Sequence, residues 1–417
     1  MEFSRRISSL RPSAIREILK APSDPDTVSL AAGNPSPETF PAAEMALIAA
    51  DIFQNNAPAA LQYGVSEGYQ PLRERTRKRL AEKHGLGNET DELIITSGGQ
   101  QVAELAAKTL LNEGDTVICE DPSFIGALNA FRSYGVKLVG VPCNGSGMDI
   151  DQLENALKKH PEAKMIYTIP TFQNPSGEVM PLASRKRLLE LAAKHDVTVL
   201  EDDPYRELRY SGETVPAIKT LDTEGRVIYA GSFSKIIAPG IRLGFALAPA
   251  PLIAKMTVGK QVSDVHSNLF FQILVEQFMA RYDLEAHIAR CRELYRARLG
   301  VMDAALKKHM PGAGWIVPEG GLFLWVKLPG GLDGTEFCRK AKEKKVMAVP
   351  GSAFLCDENG VSNAIRLNFS LPSPEQIEIG IARLGSVTLH PLASADAGRE
   401  ISSSSSCSAS ASRLDLI

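Results

Sequence analysis

Lys235 is the residue in this chain with the most unusual chemical prospect. It sits in Ser232-Phe233-Ser234-Lys235, followed by Pro239-Gly240-Ile241-Arg242-Leu243-Gly244, with strand-like apolar runs at 226–230 and 242–248 on either side. Flanked in that way, its amine is expected inside the fold, where burial penalises the ammonium form and leaves a neutral nucleophile near neutral pH. Ser232, Ser234 and Arg242 add hydroxyls and a fixed cation, the donors that hold a phosphate dianion. A solvated lysine in a Ser/Gly loop has the same local spelling, so the case depends on the rest of the chain.

Three further loops carry polar residues of a compatible kind. Ser97-Gly98-Gly99-Gln100 stands between an apolar run and a helical pattern, so free backbone amides and a helix dipole are available to an anion. Thr171-Phe172-Gln173-Asn174-Pro175-Ser176-Gly177 is a turn signal that presents Asn174, either as a ligand or simply as a turn former. Asp202-Asp203-Pro204-Tyr205 offers two carboxylates and a phenol, which a solvated loop would also accommodate.

These loops follow short apolar runs at 93–96, 116–120, 137–141, 164–169, 197–201, 226–230 and 242–248. Most lack polar alternation, and helical patterns at 100–111, 149–160 and 182–195 separate several of them. Seven such runs predict an α/β fold with a mainly parallel sheet covered on both faces, whose ligands bind beyond the C-terminal strand ends. A long helical pattern at 283–310 is expected to link this large domain, 46–285, to a smaller α+β domain, 286–385. In the smaller domain, strands are expected at 321–328, 346–349 and 364–369, with a helix at 374–384. Residues 1–45 are taken as an N-terminal arm with a short helix near 11–20. The Ser-rich tail, 386–417, is expected to be disordered.

Composition removes several classes of function. A formal net charge of −3 over 417 residues argues against a nucleic-acid or membrane-surface partner, both of which need a basic face. With no apolar leader core and no run long enough to span a bilayer, a cytoplasmic location is expected. The six cysteines form no CxxC pair and the seven histidines no HExxH cluster, so neither a disulfide framework nor a metal site is expected.

Taken together, Asn174-Pro175-Ser176-Gly177, Asp202-Asp203-Pro204-Tyr205, Ser232-Phe233-Ser234-Lys235 with 239–244, and Arg366-Leu367-Asn368-Phe369 resemble the fold type I pyridoxal-phosphate enzymes. The resemblance is to the class I/II aminotransferases, within them to the 2-aminoadipate and kynurenine branch, and runs from about Gly33 to Phe369. It implies that Lys235 anchors the cofactor covalently and shuttles the substrate proton, and that Asp202 pairs with the pyridine nitrogen. Asn174 and Tyr205 would bond the ring hydroxyl, with Asp203 turned elsewhere. Gly99, Gln100, Ser232, Ser234 and Arg242 would hold the phosphate, and Phe124 would stack on the ring unless it is a core residue. On the substrate side the resemblance implies Arg366 at the α-carboxylate, where the alternative is a structural ion pair, together with Asn174 and Gly33.

Two implied residues reach furthest from the motifs. Tyr63, in a Gly-flanked loop, matches a tyrosine that crosses to the neighbouring subunit's phosphate, so a homodimer is implied. Arg16 lies in a segment similar to the branch's mobile helix and would meet a distal substrate carboxylate; a surface arginine is the equal alternative. The implied reaction is a ping-pong amino transfer with 2-oxoglutarate as acceptor. A β-lyase or decarboxylase on the same scaffold is the first alternative. A non-enzymatic regulatory protein is the second, disfavoured by the intact Asp202, Tyr205, Lys235 and Arg366 set and by the lack of a preceding winged-helix region.

Overall fold

The apolar runs assemble into one seven-stranded sheet. In the computed structural model, which describes residues 1–8, 10 and 24–388, a two-residue strand β1 (Val28–Ser29) precedes it. The sheet strands are β2 (Asp91–Thr96), β3 (Thr116–Asp121), β4 (Lys137–Pro142), β5 (Ala163–Thr168), β6 (Thr198–Asp202), β7 (Val227–Ser232) and β8 (Gly244–Pro249). Their spatial order is β2-β8-β7-β6-β5-β3-β4. All neighbours are parallel except β8, which runs antiparallel to both β2 and β7.

That single reversal matters for the site. Thr96 and Ser232, at the ends of β2 and β7, both pair with Gly244 at the start of β8. The loop entering β8 therefore joins the loops leaving β2, β3, β5, β6 and β7 at one edge. Helices cover both faces, among them Gly99–Leu110, Ile125–Arg132, Ile150–Lys159 and Leu182–Lys194. Strand residues such as Ile94, Ile118, Ile166, Leu200 and Ile228 are at most 1 % exposed, which is why the runs show no alternation.

A second, antiparallel sheet has the order β12-β13-β10-β9, built from β9 (Gly314–Trp315), β10 (Phe323–Lys327), β12 (Val349–Pro350) and β13 (Ala364–Asn368). The run at 346–349 is thus split, its first half β11 (Val346–Met347) pairing with β1 instead. The described part of the N-terminal arm holds that short β1 pairing and a 3-10 turn, Pro37–Thr39. The long helix Leu284–His309 buries Leu284 and Ile288 in the core beside the large sheet. Its later residues Cys291, Tyr295, Leu299 and Met302 enter the core shared with β10 and β13. The last helix, Pro374–Thr388, runs past the end expected at 384. Among the described residues no helix is long and apolar enough to cross a membrane, and no acidic, His or Cys cluster could hold a metal.

Candidate active site

An anion seat forms where β2, β7 and β8 meet. Gly98 caps the helix Gly99–Leu110 with φ 83°, and no side chain occupies the cap. The first amides of the helix are left as donors. Arg242 stands over this start: its Nη2 donates to Ser97 O at 3.3 Å and its Nη1 to Pro239 O at 3.2 Å. Arg242 itself takes a left-handed backbone, φ 52°, unusual for a residue with a Cβ. A Cβ on Gly244 would lie 2.7 Å from the backbone of Gly98 and Gly99, so only glycine permits this approach. Ser232 ends β7 with its Cβ beside Gly99, and its hydroxyl accepts from Ser234 N at 3.1 Å. Gln100 departs from expectation, because its side chain donates to Gly126 O at 2.7 Å and only its backbone amide is free for an anion.

Next along the edge are the lysine and the acid. Lys235 is half-buried, its Nζ donating to Gly33 O at 3.0 Å. Burial, with the nearby cations Arg366 and Arg242, holds its pKa down to about 8, against a smaller pull from Asp202. Asp202 ends β6 and accepts from Tyr167 Oη at 2.8 Å. Burial pushes its carboxyl up to about 7, with Asp203 adding to the rise, while Tyr167 and Lys235 oppose it. Its neighbour Asp203 does point away, into an ion pair with Arg206.

The third group reaches across to β13. Asn174 donates from Nδ2 to Tyr205 Oη at 3.3 Å and accepts from Arg366 Nη1 at 3.0 Å. Arg366 is only 2 % exposed and its Nη2 donates to Ala31 O at 2.9 Å, while Nε has no partner among the described residues. Its guanidinium lies 4.1 Å from the Phe323 ring centroid and 4.8 Å from that of Phe354. Burial holds its pKa down to about 10. The structural ion pair is thereby set aside: the hydrogen-bond partners of Arg366 are a carbonyl and an amide oxygen. Phe124 starts the helix Ile125–Arg132 half-buried, packed against the core under it.

Loop 97–100 thus joins Phe124, Asn174, Asp202, Tyr205, Ser232, Ser234, Lys235, Arg242, Arg366 and Gly33 at one edge of the large sheet. Tyr63 stands apart, 82 % exposed, its ring edge-on to His266. Arg16 and the short helix expected around it lie outside the described residues. Several participants carry no sequence signal: Tyr167 is one aromatic in a buried run, and Phe323 and Phe354 come from distant positions. Arg185 is another. Fully buried in the helix Leu182–Lys194, it bonds Pro170 O, Thr171 Oγ1 and Met180 O at 2.7–3.0 Å, fixing both ends of the Asn174 loop.

The donor set fits pyridoxal phosphate: an open helix start with a cation for its phosphate, an amine for its aldehyde, and an acid for its ring nitrogen. Residues 25–384 match the sequence profile of aminotransferase class I and II. The aromatic-amino-acid aminotransferase 1 of Thermococcus litoralis is 42 % identical over 387 residues, covering 92 % of this chain and 93 % of the relative. A crystal structure of Pyrococcus horikoshii kynurenine aminotransferase in complex with PMP superposes with a TM-score of 0.89 at 42 % identity, covering 93 % of this chain and 96 % of the other. The α-aminoadipate aminotransferase of Thermus thermophilus, complexed with N-(5'-phosphopyridoxyl)-L-leucine, gives 0.85 at 37 % identity over 93 % and 97 % of the two chains. With its fold, its site and its sequence in agreement, the chain belongs to the class I and II aminotransferases, pyridoxal-phosphate-dependent enzymes that transfer amino groups.

Proposed function

We propose that this aminotransferase works as a cytoplasmic homodimer that moves the amino group of an aromatic or 2-aminoadipate-type L-amino acid to 2-oxoglutarate. The observation that carries the substrate side is Arg366, a buried guanidinium bonded among the described residues only by neutral oxygens, whose fork matches an α-carboxylate. The relatives named for aromatic amino acids, kynurenine and aminoadipate support the donor range.

Pyridoxal phosphate supplies an aldehyde that takes up amines and a ring that accepts the electrons of the Cα–H bond. Lys235 Nζ would hold the cofactor through its aldehyde and, once a donor amine takes its place, would be the base positioned for the substrate Cα proton. A pKa held down to about 8 keeps enough of this amine neutral to act as base. Asp202, oriented by Tyr167, would face the ring nitrogen. Tyr205 and Asn174 would bond the ring oxygen, while the amides of Gly99 and Gln100 with Ser232, Ser234 and Arg242 would hold the phosphate. Asn174 also keeps Arg366 aimed at the substrate.

The dimer is supported by Tyr63, which with Leu61, Val65, Val262 and Val265 leaves apolar side chains at least 50 % exposed. We assign Tyr63 to the partner's phosphate and Arg16 to a distal carboxylate of the substrate. The direct test is to mix the cofactor-loaded protein with single L-amino acids and follow the conversion of its absorption to the amine form. Fast conversion by aromatic amino acids or 2-aminoadipate, reversed by 2-oxoglutarate, is the expected result. No conversion by any donor would overturn the proposal.

A further inference from the structure

Two loops of the site are joined by a buried amide that none of the assigned roles uses. Gln173 lies directly before Asn174, and Pro122 lies two residues before Phe124. Gln173 is fully buried, and its side chain has three partners. Nε2 donates to Pro122 O at 2.8 Å and to Glu120 Oε2 at 3.1 Å, and Oε1 accepts from Ser176 N at 2.8 Å. Both amide hydrogens and the carbonyl are therefore in use. Its backbone closes the same turn, with Gln173 N donating to Glu178 O and Gly177 N donating to Gln173 O.

Two backbone groups make that arrangement one-way, and the donor side of the amide also meets Glu120. This acid is fully buried near the end of β3, and its donors are neutral: Thr168 Oγ1 at 2.6 Å, Ile169 N at 3.1 Å and Gln173 Nε2. Pro122 O can only accept and Ser176 N can only donate, so the Gln173 nitrogen must face Pro122 and its oxygen must face Ser176. A flipped amide would set oxygen against carbonyl oxygen and N–H against N–H. The far side of the first loop is also tied down, because Ser123 N donates to Phe354 O at 2.7 Å and Phe354 packs on Arg366.

We infer that Gln173, held in one orientation by Pro122 O and Ser176 N and braced by Glu120, is a positioning strut that fixes the gap between Phe124 and Asn174, and so the width and tilt of the cofactor ring's seat. The inference rests on the roles proposed above for Phe124 and Asn174. It predicts an effect on cofactor binding and turnover that is separable from folding stability. Thr168 provides the contrast. It bonds the other oxygen of the same carboxylate from the end of β5, and touches neither Pro122 nor Ser176 in that bond.

The experiment compares the full-length wild type with Gln173→Leu and Thr168→Val. Three quantities are read: the affinity of the cofactor-free chain for pyridoxamine phosphate, the melting temperature, and kcat and KM of the holoenzyme. Gln173→Leu should weaken pyridoxamine phosphate by about tenfold or more and lower kcat similarly, with KM for the amino donor changed by less than about threefold. Thr168→Val should lower the melting temperature comparably, yet leave the cofactor affinity within about twofold. If Gln173→Leu does not fold, Gln173→Met, closer in length and shape but without the amide, replaces it, and the same loss of affinity is expected. Affinity and kcat within twofold of wild type in the folded strut variant would overturn the inference. So would an equal loss of affinity in Thr168→Val, which would make the network a general stabiliser. A wild type that no amino donor converts would refute the transamination proposal instead, and the affinity comparison would still decide the strut.

Discussion

Arg366→Met separates the cost of a buried charge from its use. Burial lowers the Arg366 pKa from 12.5 to about 10, a gap that corresponds to on the order of 3 kcal/mol spent on keeping the cation inside. The substitution removes that cost. It also removes hydrogen bonds to Asn174 and Ala31 and two cation–ring contacts, roughly 1 kcal/mol each. The two sides nearly cancel, so the cofactor-free variant should melt within about 4 °C of wild type. Function should respond quite differently. Losing a two-pronged, charge-assisted contact to the substrate carboxylate forfeits about 3–5 kcal/mol, or about 200- to 5,000-fold in kcat/KM for an L-amino acid. Against the matching amine without a carboxylate, the variant and the wild type should differ by less than about threefold. The assays are a thermal melt and initial rates with both donors. A melting loss of more than about 10 °C would mean the guanidinium neutralises an acid within the fold; a kcat/KM within tenfold of wild type would remove Arg366 from the substrate.

Other substitutions test the remaining roles. Lys235→Ala should still bind the cofactor through Ser232, Ser234, Arg242 and the open helix start, while turnover falls by several orders of magnitude; near-normal turnover would refute the account of the lysine. Asp202→Asn tests the acid by pH. Because folding raises this carboxyl from 3.8 to about 7, the folded chain holds the proton more tightly, and stability falls as pH rises through that window. The cofactor-free Asp202→Asn chain should therefore outlast wild type in melts at pH 8 and lose the advantage by pH 4, and an unchanged difference across that range would count against it. Tyr63→Phe should weaken the phosphate's hold in the dimer by about tenfold, and a monomer active at full rate in sedimentation-controlled assays would refute the shared site. Arg16→Ala should reduce kcat/KM for glutamate or 2-aminoadipate but not for leucine, and equal rates would return Arg16 to the surface.

The parts of the architecture set by local pattern were legible in the sequence. Seven apolar runs, most of them unalternated, became seven strands, each within a residue or two of its expected ends, because burial on both faces of the inner strands leaves that spelling and little else does. The reversal of β8 left no such trace, since direction is decided by how the chain returns from the Lys235 loop and not by its composition. The site divides in the same way. Asp202, Asn174 and Lys235 stand in motifs whose spacing is local. Tyr167, Arg185 and Glu120 act through partners as far as 53 residues away, and Phe354 through a contact made when the loop after β12 folds onto Arg366 of β13. Gln100 shows the converse limit: its place at a helix start was legible, but its side chain turned to Gly126 because that carbonyl lay in reach.

What unites the assigned residues is that each is held against its own preference. Asp202 is kept closer to neutral than an ordinary carboxyl, Lys235 less protonated than an ordinary amine, and Arg366 is buried with no acid to answer it. Had Asp202 and Lys235 been built to stabilise the fold, each would have made the other's charge cheaper, as Lys219 does with Asp91 and Asp222 at 2.8 and 3.2 Å. Instead Asp202 is bonded by a phenol and Lys235 by a carbonyl, so both charges remain available. The partners they lack are a ring cation for the acid, a carbonyl carbon for the amine and a carboxylate for the guanidinium. Those three groups together describe the cofactor and an amino acid bound to it, and one molecule that carries all three should raise the melting temperature by more than the cofactor and a free carboxylate do separately.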